Sequence, residues 1–166
     1  KRVSITIYAA LWFLPFVLPL CFYTAYTDIA SMRITNPTVM TLAAVFVVIG
    51  PIALPFETYL WHLLGMLIAL VVGIILNAAG VMGAGDAKFI AAATPFIALG
   101  DLRLVMALFM ATLLAAALTH WIAKYTPVRR LAPAWTSWDQ GKKFPMGLAL
   151  GPALAFYLIL GALFGA

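Results

Sequence analysis

Long apolar runs alternate with short polar ones along this chain, and the alternation predicts a bundle of membrane-crossing helices. A crossing helix needs about 20 mostly apolar residues. Six runs have that character: Ser4 to Tyr26, Pro37 to Phe56, Thr58 to about Ala79, Ala87 to Gly100, Leu104 to Ala123, and Phe144 to Ala166. Between them lie the polar segment Thr27 to Asn36, a turn at Glu57, the glycine-rich break Gly80 to Asp86, a turn at Asp101 and Arg103, and a longer polar loop from Lys124 to Lys143. Open strands are ruled out in lipid because they leave backbone groups unpaired, and no ten-residue alternation of a barrel is visible. The fourth run is short: from Ala87 to Gly100 a helix covers about 21 Å, against a hydrocarbon core about 30 Å thick. Either the bilayer thins beside it or Gly80 to Asp86 lies partly at membrane depth. Both options put Asp86 at the edge of the apolar region.

Composition agrees. Apolar residues make up 66% of the 166 and charged residues 9%, where a soluble domain carries roughly 25% charged residues. The expectation is an all-α integral membrane protein, a single domain over residues 1–166 built as a polytopic bundle of about six transmembrane helices. The run after Lys1 and Arg2 is too long for a signal peptide and ends in no small-x-small site, so it reads as a retained span. The polar segments after the first, third and fifth spans share one side and hold Arg33, Lys88, Lys124, Arg129, Arg130, Lys142 and Lys143; the other side holds Lys1, Arg2 and Arg103. The positive-inside rule then places both termini outside and the first set in the cytoplasm. The net charge of +5 is spread in a way that suits anionic lipid heads and not nucleic acid. Cys21 stands alone, which excludes an internal disulfide and a CxxC zinc site. No internal repeat supports an inverted-repeat transporter.

Five acids remain as candidate chemistry: Asp28, Glu57, Asp86, Asp101 and Asp139. Glu57 and Asp101 fall in short outside turns and are expected to be solvated. Asp139 lies in the basic loop, where an ion pair is the expected use. Asp28 and Asp86 each sit where an apolar helix meets the cytoplasmic face, on the same side, and ionisable groups at such places are functional candidates. Two carboxylates a few Å apart share one proton and titrate as a unit. Such a pair cleaves a peptide bond without metal or covalent intermediate: one carboxylate takes a proton from water while the other, protonated, polarises the carbonyl. Gly83 and Gly85, lacking Cβ, let the chain turn tightly and a substrate backbone approach.

These residues resemble a known family. Gly83-Ala84-Gly85-Asp86-Ala87-Lys88 is similar to the GxGD signature of membrane aspartyl proteases in the form used by type IV prepilin peptidases, and Tyr26-Thr27-Asp28 with Arg33, Ile34 and Asn36 resembles the family's other aspartate motif. Phe144-Pro145-Met146-Gly147, with Gly151 beyond it, is similar to the proline-glycine entry into the family's last helix. The short prepilin peptidases of tight-adherence (Flp-type) pilus systems are the nearest in character. The resemblance implies a catalytic pair, Asp28 and Asp86, no metal and no cofactor. It implies a prepilin or pseudopilin substrate with a short basic leader before an apolar helix, cut at the cytoplasmic face of a bacterial or archaeal inner membrane. Gly83, Gly85, Lys88, Arg33, Asn36, Pro145 and Gly147 would be substrate-binding or supporting positions. The cysteine-rich insert of the larger, methylating members is absent from Thr27 to Asn36, so methyltransferase activity is not implied.

Other polar residues have plainer expected uses. His62 and His120 are isolated near span ends, with no metal-ligand spacing. Trp61, Trp121, Trp135 and Trp138 fit interfacial aromatic belts. Asn77 either bonds a neighbouring helix or lines the site. The loop from Arg129 to Lys143 suits the anionic inner leaflet. Two other functions fit the same aspartates less well: a small proton-coupled transporter, and a non-catalytic pilus-assembly subunit.

Overall fold

The computed structural model describes residues 3–141 and 143–166; Lys1, Arg2 and Lys142, three of the cations weighed for orientation, lie outside the described residues. Six α-helices follow one another: α1 (Ile7–Ser31), α2 (Asn36–Ala53), α3 (Phe56–Ala78), α4 (Ala84–Ala93), α5 (Leu102–Tyr125) and α6 (Gly147–Phe164). All but α4 are long and apolar enough to cross a membrane. The chain is a polytopic helical membrane protein, as the apolar runs require.

Two boundaries differ from expectation, for identifiable reasons. The polar segment that starts at Thr27 continues α1 as far as Ser31. Its hydroxyls serve the helix: Thr27 Oγ1 donates to the Thr24 carbonyl at 3.2 Å and Ser31 Oγ to the Thr27 carbonyl at 2.7 Å. The helix stops at Met32, which takes a left-handed conformation (φ 54°) and returns its N–H to the Asp28 carbonyl at 2.8 Å. Thr35 then caps α2, with Pro37 in the first turn, where its missing N–H costs nothing. The fourth span also shifts. Helix α4 starts at Ala84, so Gly85 and Asp86 belong to its first turn, and it gives way to 3₁₀ turns at Thr94–Phe96 and Leu99–Asp101. Pro95 cannot donate the next helical hydrogen bond, and the looser 3₁₀ path completes the pass. Ten α-helical residues cover only about 15 Å.

The centre of the bundle is the pair α1 and α6. Phe13, Val17 and Cys21 of α1 are buried with Leu154, Tyr157 and Leu158 of α6. Gly151 makes the approach possible, because a Cβ there would run into the Cys21 carbonyl. Helices α3 and α5 flank this core and leave Leu67, Ile75, Leu114 and Leu118 exposed. On a protein in water such faces mark an interaction surface; on this one they face lipid.

At the end of the bundle opposite the α1–α2 turn, Asp101 departs from its expected role. It is 5% exposed, not solvated. Its carboxylate accepts the backbone N–H of Ser4 at 2.8 Å, that of Ile5 at 3.1 Å, and the Tyr157 hydroxyl at 2.9 Å. Tyr157 in turn accepts the Ala98 N–H at 3.0 Å. The residues before α1 fold beneath the α4–α5 connection and supply the donors that burial of a carboxylate demands. The chain ends meet there as well, through Val3 N–H to the Phe164 carbonyl at 3.1 Å.

Removing a buried acceptor of several hydrogen bonds strands its donors. Asp101→Ala is expected to destabilise the protein by about 2–4 kcal/mol, read as a lowered melting temperature in detergent. A change within about 0.5 kcal/mol, the usual range for a solvated surface residue, would return Asp101 to the role expected from its turn position.

Candidate active site

At the other end of the bundle α1 finishes and α2, α4 and α6 begin, and they enclose a cleft of about 720 Å³. Asp28 and Asp86 both line it. So do Gly83 and Gly85 at the start of α4, Arg33 and Asn36 at the α1–α2 turn, and Lys143 and Met146 ahead of α6. Of the catalytic and supporting positions expected from sequence, Lys88, Pro145 and Gly147 are not on the cleft wall; Lys88 bonds Asn36 and Gly147 bonds Asp28, both of which are.

Asp28 lies in the penultimate turn of α1 and is 5% exposed. Its Oδ2 accepts the backbone N–H of Gly147, the first residue of α6, at 2.6 Å. The first N–H groups of any helix lack an internal partner; here a carboxylate from the far end of the chain supplies one. The position must be glycine, because a Cβ at residue 147 would lie 2.9 Å from the Asp28 Cβ and 3.0 Å from Oδ2. Pro145 is fully buried two residues ahead, and its fixed φ sets the entry of the chain into α6.

Asp86 is the third residue of α4, half-buried, with its carboxylate folded back toward the N-cap, Gly83. A Cβ on Gly83 would stand 2.8 Å from the Asp86 Oδ2, so glycine leaves the room that this side chain occupies. Gly85 has a different use: its Cβ would lie 3.4 Å from Ile34, so it seats α4 against the α1–α2 turn. Lys88, one turn further, donates from Nζ to Asn36 Oδ1 at 3.1 Å and clips α4 to the first residue of α2. The break before α4 is held by Asn77, whose side-chain amide donates to the Met82 carbonyl at 2.9 Å. That favours a local use for Asn77, since it is not on the cleft wall.

Two acids, Asp28 and Asp86, and two cations, Arg33 and Lys143, line the cleft. Arg129 and Asp139 form the one ion pair among the described residues, at 2.8 Å and exposed to solvent, as expected for Asp139. Neither cleft aspartate is paired with a cation there, and both face the same cleft. No group of three metal-ligating side chains gathers among the described residues.

The histidines belong to packing. His62 Nδ1 meets the Pro95 carbonyl at 2.6 Å and its ring stacks on Phe46. His120 stacks on Trp138, with ring centroids 5.1 Å apart. Trp138 is accordingly buried and does not stand in an interfacial belt: its Nε1 donates to the Ala132 carbonyl at 2.8 Å. Together with the edge contact of Trp135 on Tyr26, it folds residues 126–141 onto the ends of α1 and α5.

A model of the type IV leader peptidase family matches residues 15–120. The chain belongs to that family. No curated protein and no solved structure matches the chain. The match takes in both cleft aspartates, both glycines at the start of α4, and Arg33, Asn36 and Lys88. It stops before Pro145 and Gly147, so the α6 side of the leader peptidase cleft is known from the structure alone. Gly147 was singled out in the sequence through the resemblance of Phe144-Pro145-Met146-Gly147 to the family's entry into its last helix; nothing in the sequence pairs it with Asp28, since 119 residues separate them.

Gly147→Ala therefore forces α6 and Asp28 apart. Displacements of about 1 Å at reacting groups cost on the order of 10²-fold in rate, so leader cleavage in membranes is expected to fall by about that factor while the protein still inserts. Cleavage at the unmodified rate would show that the Asp28–Gly147 contact is dispensable.

Proposed function

We propose that this leader peptidase is an aspartic endopeptidase in which Asp28 and Asp86 together activate water against the peptide bond that joins a short basic leader to an apolar helix. One observation carries the proposal: two carboxylates from distant parts of the chain line one cleft at a helical end of the bundle, with no cation paired to either among the described residues. Two carboxylates brought together on one cleft favour holding one proton between them.

The division of labour follows. The ionised member takes a proton from a water, which attacks the scissile carbonyl carbon. The protonated member gives its proton to the carbonyl oxygen as that oxygen gains charge. When the tetrahedral diol collapses, the C–N bond breaks, the departing amine receives the proton taken from water, and a diol hydroxyl returns its proton to the other carboxylate as the new carboxyl group forms, which restores the singly protonated pair. Gly147 fixes one oxygen of Asp28 and leaves the other for this exchange. Gly83 and Gly85 keep side chains away from the substrate backbone. Arg33, Asn36 and Lys88 hold the cleft in shape and do no proton transfer.

The cleft opens to the cytoplasm on this account. Among the described cations, Arg33, Lys88, Lys124, Arg129, Arg130 and Lys143 lie at its end of the bundle and Arg103 at the other, and cytoplasmic loops carry the excess of Lys and Arg. The membrane is then the inner membrane of a bacterium or archaeon, and the substrate a prepilin or pseudopilin. Asp139 is engaged by Arg129, which leaves anionic lipid heads as the partner for a basic leader. The link between α1 and α2 spans only residues 32–35 and favours a short, Flp-type peptidase without methyltransferase activity. A proton-coupled transporter would need a polar path between the two ends; Phe13, Phe46 and Phe96 pack edge and face across that route.

Asp28→Asn and Asp86→Asn are each expected to lower processing of a co-expressed prepilin by about 10²–10⁴-fold, the range for loss of a general acid or base, with membrane insertion unchanged. Processing that persists at the unmodified rate in either variant would exclude the two-aspartate mechanism and favour a non-catalytic role.

A further inference from the structure

A second cavity, about 270 Å³ and almost wholly apolar, lies between α4 and α5 with α6 as its floor. Its walls are Phe89, Ala93 and Ile97 on the α4 side, Val105 and Met106 on α5, and Leu150 and Tyr157 among others on α6. It exists because α4 packs chiefly on α3 and α5 on α6, while α4 and α5 barely meet. Both helices that carry the cleft continue into it. Phe89 follows Asp86 by three positions on α4, and Leu150 follows Gly147 by three on α6. Residues three apart on a helix lie on one face, about one turn along. The groove therefore begins one turn inside the cleft and runs along the bundle toward the far end, where Tyr157 meets Asp101.

We infer that this groove docks the apolar helix of the substrate, parallel to α4 and α6, so that the bond before that helix falls between the two aspartates. The inference rests on the proposed peptidase reading and adds where the uncut part of the substrate lies. The chemistry of the occupant follows from the path. A chain that starts in a cleft lined by charged residues and proceeds one turn later along a wall that is almost wholly apolar must change from polar to apolar at that point. A leader followed by an apolar helix does so. The volume suits a few large side chains, not a helix 10–12 Å across. The substrate helix would accordingly lie against the groove from the lipid side, insert one row of side chains at i, i+3, i+4 spacing, and enter sideways without threading.

The test separates this inference from the peptidase reading. Val105→Trp fills the groove; Leu114→Trp, on the same helix but 72% exposed and off the groove, is the matched control. Two substrates are compared in membranes: one with its full apolar helix, and a short peptide carrying the leader and only a few residues past the cut. Val105→Trp is expected to raise KM for the helix-bearing substrate at least tenfold with kcat little changed, and to leave the short peptide unaffected; Leu114→Trp should affect neither. Equal effects of the two variants, or equal effects on the two substrates, would overturn the docking site. Crosslinking decides the matter even if no cleavage occurs. A photoreactive amino acid in place of Met106, in an Asp86→Asn background, should capture the substrate's apolar helix, and the same probe at Leu114 should not. Capture of lipid alone at position 106 would assign the groove to an acyl chain and overturn the inference.

Discussion

A single hydrogen bond, from the first N–H of α6 to the carboxylate of Asp28, joins the architecture of this protein to its chemistry. It fixes where α6 begins, it orients one of the two cleft acids, and it closes the bundle between its first and last helices. Three glycines make the rest of that packing possible: Gly147 beneath Asp28, Gly151 beneath the Cys21 carbonyl, and Gly161, where a Cβ would stand 3.2 Å from that of Ala10. At the opposite end α6 is tied to a carboxylate again, through Tyr157 and Asp101. The two buried acids do different things because their surroundings differ. Asp101 is saturated with donors and acts as a fastener. Asp28 is given one donor and faces a cleft that Asp86 also lines, which suits the proton exchange proposed for it.

This contrast is what a membrane enzyme of so few charged residues has to arrange. A buried carboxylate is costly unless it is hydrogen-bonded or paired. At the fastener the cost is met by three backbone and side-chain donors. At the cleft Asp28 has a single backbone donor, from Gly147, and under the proposed mechanism a proton shared with Asp86 meets the rest. The fourth span, reduced to ten α-helical residues and two 3₁₀ turns, serves the same end: it carries Asp86 at its very start, and its poor contact with α5 leaves the groove beside the cleft open.

Much of this was visible in the order of residues, and the misses share a cause. The helices were legible because apolar runs of membrane length have few alternative structures. Asp28 and Asp86 were legible because an acid next to an apolar run is rare and both fell on one side of the predicted topology. Asp101 occupies an equally plain turn position, yet its burial depends on Ser4 and Ile5 folding under it from the other end of the chain, which no local pattern encodes. The same holds for Gly147, whose need for glycine arises from Asp28, and for Trp138, whose burial depends on His120. The late end of α1 was hidden because Thr27 and Ser31 are polar by composition but bond to their own helix.

The most direct measurement is a carbon-detected NMR titration of isotopically labelled aspartate carboxyls in the detergent-solubilised protein, with and without one member of the pair. If Asp28 and Asp86 form one electrostatic unit, replacing either by asparagine moves the titration midpoint of the other by about one pH unit or more. If each aspartate titrates the same whether or not the other is present, the two acids act separately and the shared-proton account fails.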